Sequence, residues 1–388
     1  MSRLQPVRGT ADLFPEAMAR HRHVIDAARN AAARYGFQEM ATPIFEFSEV
    51  FSRPLGESSD IVTKENYSFT DRGGEMLTLR PENTAGVVRA MISGGLTQSL
   101  PLRFFYAGPM FRYERPQKGR MRQFHQVGIE YLGPADALAD AEIIACGARF
   151  LDQLGVLDAC VLHLNSLGDT ASRQAYRSAL IDYLTGFADK LSADSRTRLA
   201  VNPLRILDSK DVGDRDILQN APRLEHYLND NSKAHFAALT GALDTADIGW
   251  TYNPLLVRGL DYYCHTAFEF VTDALGAQGT VLGGGRYDGL AEMLGGPKVP
   301  GVGWAAGVER LAMLVDAGPP QSPKVAVIAA DSESDMAAFQ LAEKLRDASI
   351  DIELPTAGAV GKKLKKADKA GIRLALILGS DERAKGTD

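Results

Sequence analysis

Twenty residues, Phe111 to Glu130 (FRYERPQKGRMRQFHQVGIE), restrict this chain more than any other stretch. They read as two strands joined by a basic loop, so an antiparallel hairpin is predicted. Residues two apart on a strand share a face. That rule pairs Arg112 with Glu114 on the first strand and groups Phe124, Gln126, Gly128 and Glu130 on the second. One pleated surface would then carry a guanidinium, two carboxylates, an amide, an aromatic plate and a glycine gap. Such a set suits a ligand with a phosphate, a flat base and a small polar end. Arg115, Lys118, Arg120 and Arg122 in the loop suit a polyanion reaching the same surface.

The rest of the chain supplies a scaffold large enough for such a site. At 388 residues, two or three domains with a sizeable core are expected. A composition of 45% hydrophobic and 24% charged residues is that of a soluble globular protein. The net charge of −6 argues against indiscriminate nucleic-acid binding but leaves room for a basic surface on one face. No apolar run approaches the ~20 residues of a membrane helix, so no membrane association is expected. MSRLQPVRGTADLFPE lacks the apolar core of a signal peptide, and a cytoplasmic location is the expectation. Cys146, Cys160 and Cys264 form no CxxC pair, and the seven histidines form no HExxH, so no dedicated metal site is expected.

Helix character runs from Pro15 to Tyr35, with Val24, Ala27, Ala28 and Ala31 at helical spacing and Gly36 after it. Residues 37–47 are extended, 67–80 and 102–133 read as hairpins, and Asp136–Leu154 is a helix. From Asp169 to about Ile248 the pattern is helical and more polar, which reads as an insertion at about 169–250. Strand character returns over Val257–Val271, at Val281–Leu282 before GGGRYDGL, and in GVGWAAG, with a helix from about Val308. Residues 319–323 fall in the clearest linker, GPPQSP. Beyond it KVAVIAA, a helix over Ser334–Ala348, IDIEL, a lysine-rich helix and IRLALILG alternate as β-α-β-α-β, predicting a small parallel α/β domain. The expected class is therefore α+β, with domains over 1–318 and 324–388.

Neither GxxxxGK[ST] nor GxGxxG is present, so an ATP site here would sit on an antiparallel sheet and use arginines. Singly, each polar residue has an ordinary explanation. Arg112 with Glu114 would be an exposed pair, Phe124 a core residue, His125 a packed or surface histidine, Tyr262 and Tyr263 sheet aromatics, and the lysines of VGKKLKKADKAG a solvated helix face. Their joint order changes that weighting. RGTADLFP, TLRPENTAG, the hairpin itself, LNSLGD, NPLRILDSK, VRGLDYYCHTAFEF, GGGRYDGL and GVGWAAGVERL follow one another along the chain. In that order they resemble the histidyl-tRNA synthetases, a family of class II aminoacyl-tRNA synthetases, over essentially the whole length. RGLDYY and GGGRYDGL are characteristic of the histidine branch; FRxE and the glycine-rich strand ending in Glu-Arg belong to class II at large.

The resemblance implies a class II antiparallel sheet flanked by helices, a helical insertion and a C-terminal anticodon-binding-like domain. It implies ATP-dependent activation of L-histidine to the adenylate, then transfer to the 3′ end of tRNA(His), with Mg2+ bound mainly through the phosphates of ATP. By matching position, Arg112 and Arg258 address the α-phosphate as catalytic residues, and Arg310 the bent γ-phosphate. Glu114, Arg120 and Phe124 complete the ATP site, Phe124 stacking the adenine. Glu82, Thr84 and Gln126 match the α-amino subsite, Glu130 and Tyr263 the ring-nitrogen partners, and Tyr287 the pocket lining. Gln117 and Lys118 match the acceptor-end contacts. The Pro15–Tyr35 helix and the strand containing Pro43 resemble the class II dimer element, so a homodimer is expected.

Asn83 stands where many family members have glycine, and little effect is expected. The family pattern runs past GSDERAKGTD through another strand and a final helix, so a shortened C-terminal domain is expected as well. The main competing reading is the non-catalytic, histidine-sensing regulatory subunit of ATP phosphoribosyltransferase. That paralogue typically lacks the catalytic arginines and the last domain. A tRNA-binding adaptor without chemistry is the other, and the arginine set opposes both.

Overall fold

A proline in the first turn starts α1 (Pro15–Arg34), and Gly36, at a left-handed φ of 77°, ends it. Val24, Ala27, Ala28 and Ala31 form its buried stripe. The computed structural model describes residues 3–55, 65–257, 262–315 and 324–384. These belong to two units, residues 1–318 and 319–388, and the expected linker at 319–323 lies outside the described residues.

In the first unit, β1 (Gln38–Glu39) is followed by β2 (Phe45–Phe47), α2 (Glu49–Leu55), β3 (Tyr67–Thr70) and β4 (Met76–Leu79). Strands β2, β4 and β3 form a small antiparallel sheet in that order. Its polarity is inverted. Glu46 and Thr78 point inward and are buried, Thr78 bonding the hydroxyls of Ser48 and Ser68 at 2.7 and 2.8 Å. Phe45, Phe47 and Phe69 share the opposite face and stay 52%, 57% and 44% exposed.

Next come α3 (Thr84–Ser93), β5 (Leu102–Phe111), β6 (Gln123–Leu132), α4 (Ala137–Gln153) and β7 (Val161–Ser166). The helical stretch holds α5 (Thr170–Thr185), α6 (Ala193–Val201), α7 (Val212–Leu218) and α8 (Asp230–Thr245). The unit closes with β8 (Thr251–Tyr252), β9 (Cys264–Val271), β10 (Thr280–Arg286), α9 (Leu290–Met293), β11 (Gly301–Gly307) and α10 (Val308–Ala312). Eight strands make one sheet in the order β1-β5-β6-β11-β10-β9-β7-β8. Its centre is antiparallel, and only the edge pairs β1/β5 and β7/β8 are parallel. The chain is α+β.

Strand parity sorts the two cores. Phe105, Val127 and Ile129 face α1, α4 and α8, whose Ala28, Ile143 and Leu243 belong to the same cluster. Tyr106, Met110 and Leu132 face the other way, toward α3 and α5. Arg286, fully buried, binds Asp140 of α4, the carbonyls of Pro134 and Asp136, and Asp288. A guanidinium so enclosed needs this many acceptors. GGGRYDGL thus locks a helix to the sheet. Its middle glycines serve close packing: a Cβ on Gly284 would strike the Gly303 carbonyl.

The second unit has β12 (Val325–Ala329), α11 (Asp335–Asp347), β13 (Ile352–Glu353), α12 (Val360–Lys369), β14 (Leu374–Leu378) and α13 (Ser380–Ala384). The sheet is parallel, ordered β13-β12-β14, with α11 packed on one face and α12 on the other. One lysine of α12 departs from the solvated face expected for it. Lys363 is buried, and its Nζ donates to Ala329 O at 3.0 Å.

Candidate active site

A cavity of about 420 Å³ lies across β6, β10 and β11 on the face that Phe124 and Gln126 share. Glu82, Thr84, Arg112, Glu114, Arg120, Tyr263 and Arg310 also line it. Ten of the residues singled out from sequence for ATP and histidine therefore converge here: these seven and Phe124 and Gln126 on the wall, with Glu130 behind it. Arg258 lies outside the described residues.

Arg112 and Glu114 arrive by a different route from the one expected. β5 ends at Phe111: Arg112 N–H still reaches Arg122 O (2.9 Å), but Arg122 N–H turns away to Gly9 O (2.7 Å), and Glu114 N–H closes on Arg112 O (2.8 Å), which turns the chain. The pair thus lies in the loop, not on a strand face. Arg112 is aimed by its own bond to Pro81 O (2.8 Å) and stands 5.3 Å over the Phe124 ring. Glu114 is buried and ion-paired with Arg120. Arg310 donates to Gly119 O (3.0 Å) and Thr280 O (2.8 Å). Burial, and then the Arg112 and Arg120 cations, work against charge on Arg310 and lower its pKa. Gln117 and Lys118 sit at the exposed tip of a turn closed by a bridge from Gln117 to Arg120.

The other end of the cavity is built from buried polar groups. Glu82 accepts from the backbone N–H groups of Thr84 (2.6 Å) and Ala85 (3.1 Å) at the start of α3. Burial nevertheless raises its pKa. Thr84 Oγ1 donates to Glu130 Oε1 at 2.7 Å. Glu130 is fully buried, and burial outweighs its hydrogen bonds from Tyr287 and Thr84, holding the carboxyl up to about 8. Tyr287 does not line the cavity as expected. Its N–H bonds Gly301 O (2.7 Å) as the chain leaves β10, so the ring turns beneath the wall and its hydroxyl donates to Glu130. Tyr263 is on the wall, and among the described residues Gln126 Oε1 has no partner.

Three contributors were missed. Tyr106 lines the cavity over Gly128, its register partner, where a Cβ would strike the tyrosine ring. The glycine in the β6 pattern was the signal for a large side chain opposite. Glu269 also lines the wall, bonded by Thr280 Oγ1 at 3.0 Å. Glu309, beside Arg310, takes the His125 backbone N–H on both oxygens (3.0 and 2.9 Å). It also pairs with His125 Nδ1 (2.8 Å) and His21 Nε2 (3.4 Å), and those bonds hold its pKa down to about 2 against burial. His21, His125 and Glu309 come from α1, β6 and α10 and offer donors that a metal could share. The amide already on both carboxylate oxygens makes the cluster a tie instead, fixing Arg310 against the strand of Phe124 and Gln126. No spacing along the chain announces it.

An antiparallel sheet of this order, with an arginine-lined cavity between its central strands and a separate parallel α/β unit, is the architecture of class II aminoacyl-tRNA synthetases. A sequence model of histidyl-tRNA synthetase matches residues 9–311, and one of the anticodon binding domain matches residues 324–387. The chain is 57% identical over 388 residues to the histidine–tRNA ligase of Rhodospirillum rubrum, covering 100% of this chain and 94% of that one. The crystal structure of S. aureus apo histidyl-tRNA synthetase superposes with a TM-score of 0.82 at 32% identity, covering 99% of this chain and 93% of that chain. A Bacillus halodurans structure described as an ATP phosphoribosyltransferase regulatory subunit/histidyl-tRNA synthetase has the same fold, with a TM-score of 0.70 at 19% identity over 97% of this chain and 98% of that one. The chain belongs to the histidyl-tRNA synthetase family.

Proposed function

We propose that this chain activates L-histidine with ATP and transfers it to the 3′ end of tRNA(His). The observation that carries this reading is one cavity with two unlike ends. Arg112, Arg120 and Arg310 crowd one end, while Thr84, Gln126 and Tyr263, backed by Glu130, furnish the other. The regulatory-subunit alternative is not favoured: the arginines it would lack are present, and the high-identity relative is a ligase.

In the forward step a histidine carboxylate oxygen attacks the α-phosphorus, and the bond to the β-phosphate oxygen breaks with pyrophosphate leaving. Negative charge grows on the phosphoryl oxygens, where fixed cations are most effective. Arg112 and, by family position, Arg258 take the α-phosphate; Arg310 takes the γ-phosphate; Phe124 supplies the face for adenine, with Glu114 and Arg120 beside it. Glu82, Thr84 and Gln126 take the ammonium, the Gln126 oxygen being a ready acceptor. Glu130 and Tyr263 take the imidazole nitrogens, with Tyr287 steering Glu130 through its hydroxyl. Buried polar partners of this kind reject analogues that lack the ring nitrogens. Glu114 and Glu269 on the wall fit a hard dication carried in on the phosphates, and Mg2+ there would neutralise phosphate charge.

Gln117 and Lys118, at their exposed turn, meet the tRNA acceptor end, and residues 324–384 belong to the unit for the anticodon. The outward apolar face of Phe45, Phe47 and Phe69 supports a homodimer, since a face of this kind asks for a partner. The workplace is the cytoplasm, where tRNA is charged. The deciding experiment is pyrophosphate–ATP exchange across the twenty amino acids. Exchange with histidine alone is expected, and none from well-folded protein would sink the reading.

A further inference from the structure

The motif NPLRILDSK has no role in the chemistry above, yet its end lines a cleft that shares a wall with the ATP cavity. This second cleft, of about 680 Å³, shares Arg112, Glu114, Arg120, Glu269, Thr280 and Arg310 with that cavity. Its opposite wall comes from the turn between α6 and α7 and from α7 itself, and carries Ser209, Lys210, Arg215 and Gln219. Three guanidiniums on one side thus look across at an ammonium and a guanidinium on the other. Among the described residues two carboxylates, Glu114 and Glu269, line the cleft beside them, and Glu114 is already engaged by Arg120. Facing cations repel unless an anion spans them.

The turn that carries Lys210 is held firmly. Asp214, fully buried, accepts from Ser192 N (2.9 Å), Ser192 Oγ (2.8 Å), Ser195 Oγ (2.5 Å) and Ser209 Oγ (2.6 Å). Arg215 Nε donates to Ser209 O at 3.3 Å. One buried carboxylate therefore joins α6, the Ser209 turn and α7. It sets the position of two cations, Lys210 and Arg215, that are exposed to the cleft. A solvated surface needs no such anchor.

We propose that Lys210 and Arg215 form the far jaw of a polyphosphate clamp, closing on the β- and γ-phosphates of ATP and on pyrophosphate as it leaves. The clamp rests on the proposed synthetase reading of the arginine end. When the α-phosphorus bond breaks, the electron pair leaves with pyrophosphate, and Lys210 and Arg215 meet that growing charge from the side away from Arg112. An ammonium suits the terminal phosphate of the ligand, being a compact charge on a flexible stem.

The test is exchange kinetics without tRNA for Lys210→Gln, Arg215→Gln, the double variant and Lys210→Arg. Each single neutral variant is expected to raise KM for pyrophosphate and ATP by about tenfold, with the double variant worse. KM for histidine should stay put, and Lys210→Arg should recover most of the loss. Unchanged exchange with a defect only in transfer to tRNA would overturn the clamp and give the cleft to phosphates of the tRNA end. An equal rise in histidine KM would overturn it too, as a sign of a disturbed wall. Calorimetric titration of pyrophosphate into wild type and double variant decides the matter separately. Weaker binding by the double variant supports the clamp even if histidine-dependent exchange were absent, and equal binding refutes it.

Discussion

The two ends of the cavity hold their groups in opposite ways. At the phosphate end, charged side chains are aimed by neutral backbone: Arg112 by Pro81 O, Arg310 by Gly119 O and Thr280 O. Each stands on the cavity wall, and the crowding of like charges disfavours the state without an anion. At the amino-acid end, side chain holds side chain: Thr84 and Tyr287 on Glu130, with Glu82 on the amides of α3. Its carboxyls are buried and lean toward the neutral form. On the proposed function, the first end serves charge that changes during reaction, and the second recognises a fixed shape of donors and acceptors. Loss at the first should strike rate, and loss at the second should strike affinity.

Arg112→Ala is the largest test. Removing one preorganised charge contact to the reacting phosphate should lower the exchange kcat by about 10²–10³-fold. Histidine binding, read by calorimetry without ATP, should change less than about threefold (RT ln 3 is roughly 0.6 kcal/mol). Equal losses of rate and histidine affinity would break the division. Arg258→Ala is expected to behave in the same way.

Glu130→Gln tests the other end and should raise histidine KM by about 10–100-fold, the cost of disturbing a charged or buried hydrogen-bonding partner. ATP KM should stay near wild type. Glu130 also makes a stability claim. Its folded pKa of about 8 lies above the ordinary 4.5, so between those values the folded chain keeps a proton that the unfolded chain has lost. Stability from this group is fully present below pH 4.5 and is lost as pH rises toward 8. Glutamine removes that slope. A variant whose urea midpoint follows wild type across pH 5–8 would show that Glu130 is ionised throughout.

The tie at Glu309 has the reverse sign. Its pKa is held down to about 2, below the ordinary 4.5. Its contribution is therefore present above pH 4.5 and lost as pH falls toward 2. Glu309→Gln should flatten acid unfolding in that window. It should also raise ATP KM several-fold through misplacement of Arg310, roughly 1 kcal/mol for a weakened buried hydrogen bond. His125→Gln should reproduce the second effect in weaker form, because the backbone N–H of residue 125 still meets the carboxylate.

Legibility along the chain followed the physics of each element. Strand alternation is local, so the 123–132 strand and the shared face of Phe124, Gln126 and Glu130 could be read directly. Helices with clear start and stop residues, such as Pro15–Arg34 between its first-turn proline and Gly36, were equally plain. Arg112 and Glu114 were placed on a strand because period two continues in the letters; the bond from Arg122 N–H to Gly9 O, which takes the return bond from Arg112, is non-local. The tie of His21, His125 and Glu309 joins positions 288 residues apart and leaves no local pattern. Tyr106 could have been inferred from Gly128, had the hairpin register been counted back from the loop. Roles for the arginines came from resemblance alone, since an isolated RxE pair carries no chemistry.

Asn83→Gly is the smallest effect and the most exacting test of the comparison. The side chain is buried, and its Oδ1 accepts from Thr42 Oγ1 at 2.6 Å and from Arg80 Nη1 at 3.3 Å. The residue lies between Glu82 and Thr84, so a loose α3 start would reach the amino-acid end directly. Yet Glu82 holds the first amides of α3, and Thr84 is held on Glu130, by bonds that do not pass through Asn83. The backbone at Asn83 is ordinary, at φ −119°, so glycine gains nothing there except freedom in the unfolded chain. The expected cost is about 1–2 kcal/mol in urea unfolding, from the lost acceptor and the added entropy. Histidine KM should move by less than about twofold, under 0.5 kcal/mol. A rise of tenfold or more would mean that the amino-acid end is set by the Thr42–Arg80–Asn83 network beneath it rather than by its own side chains.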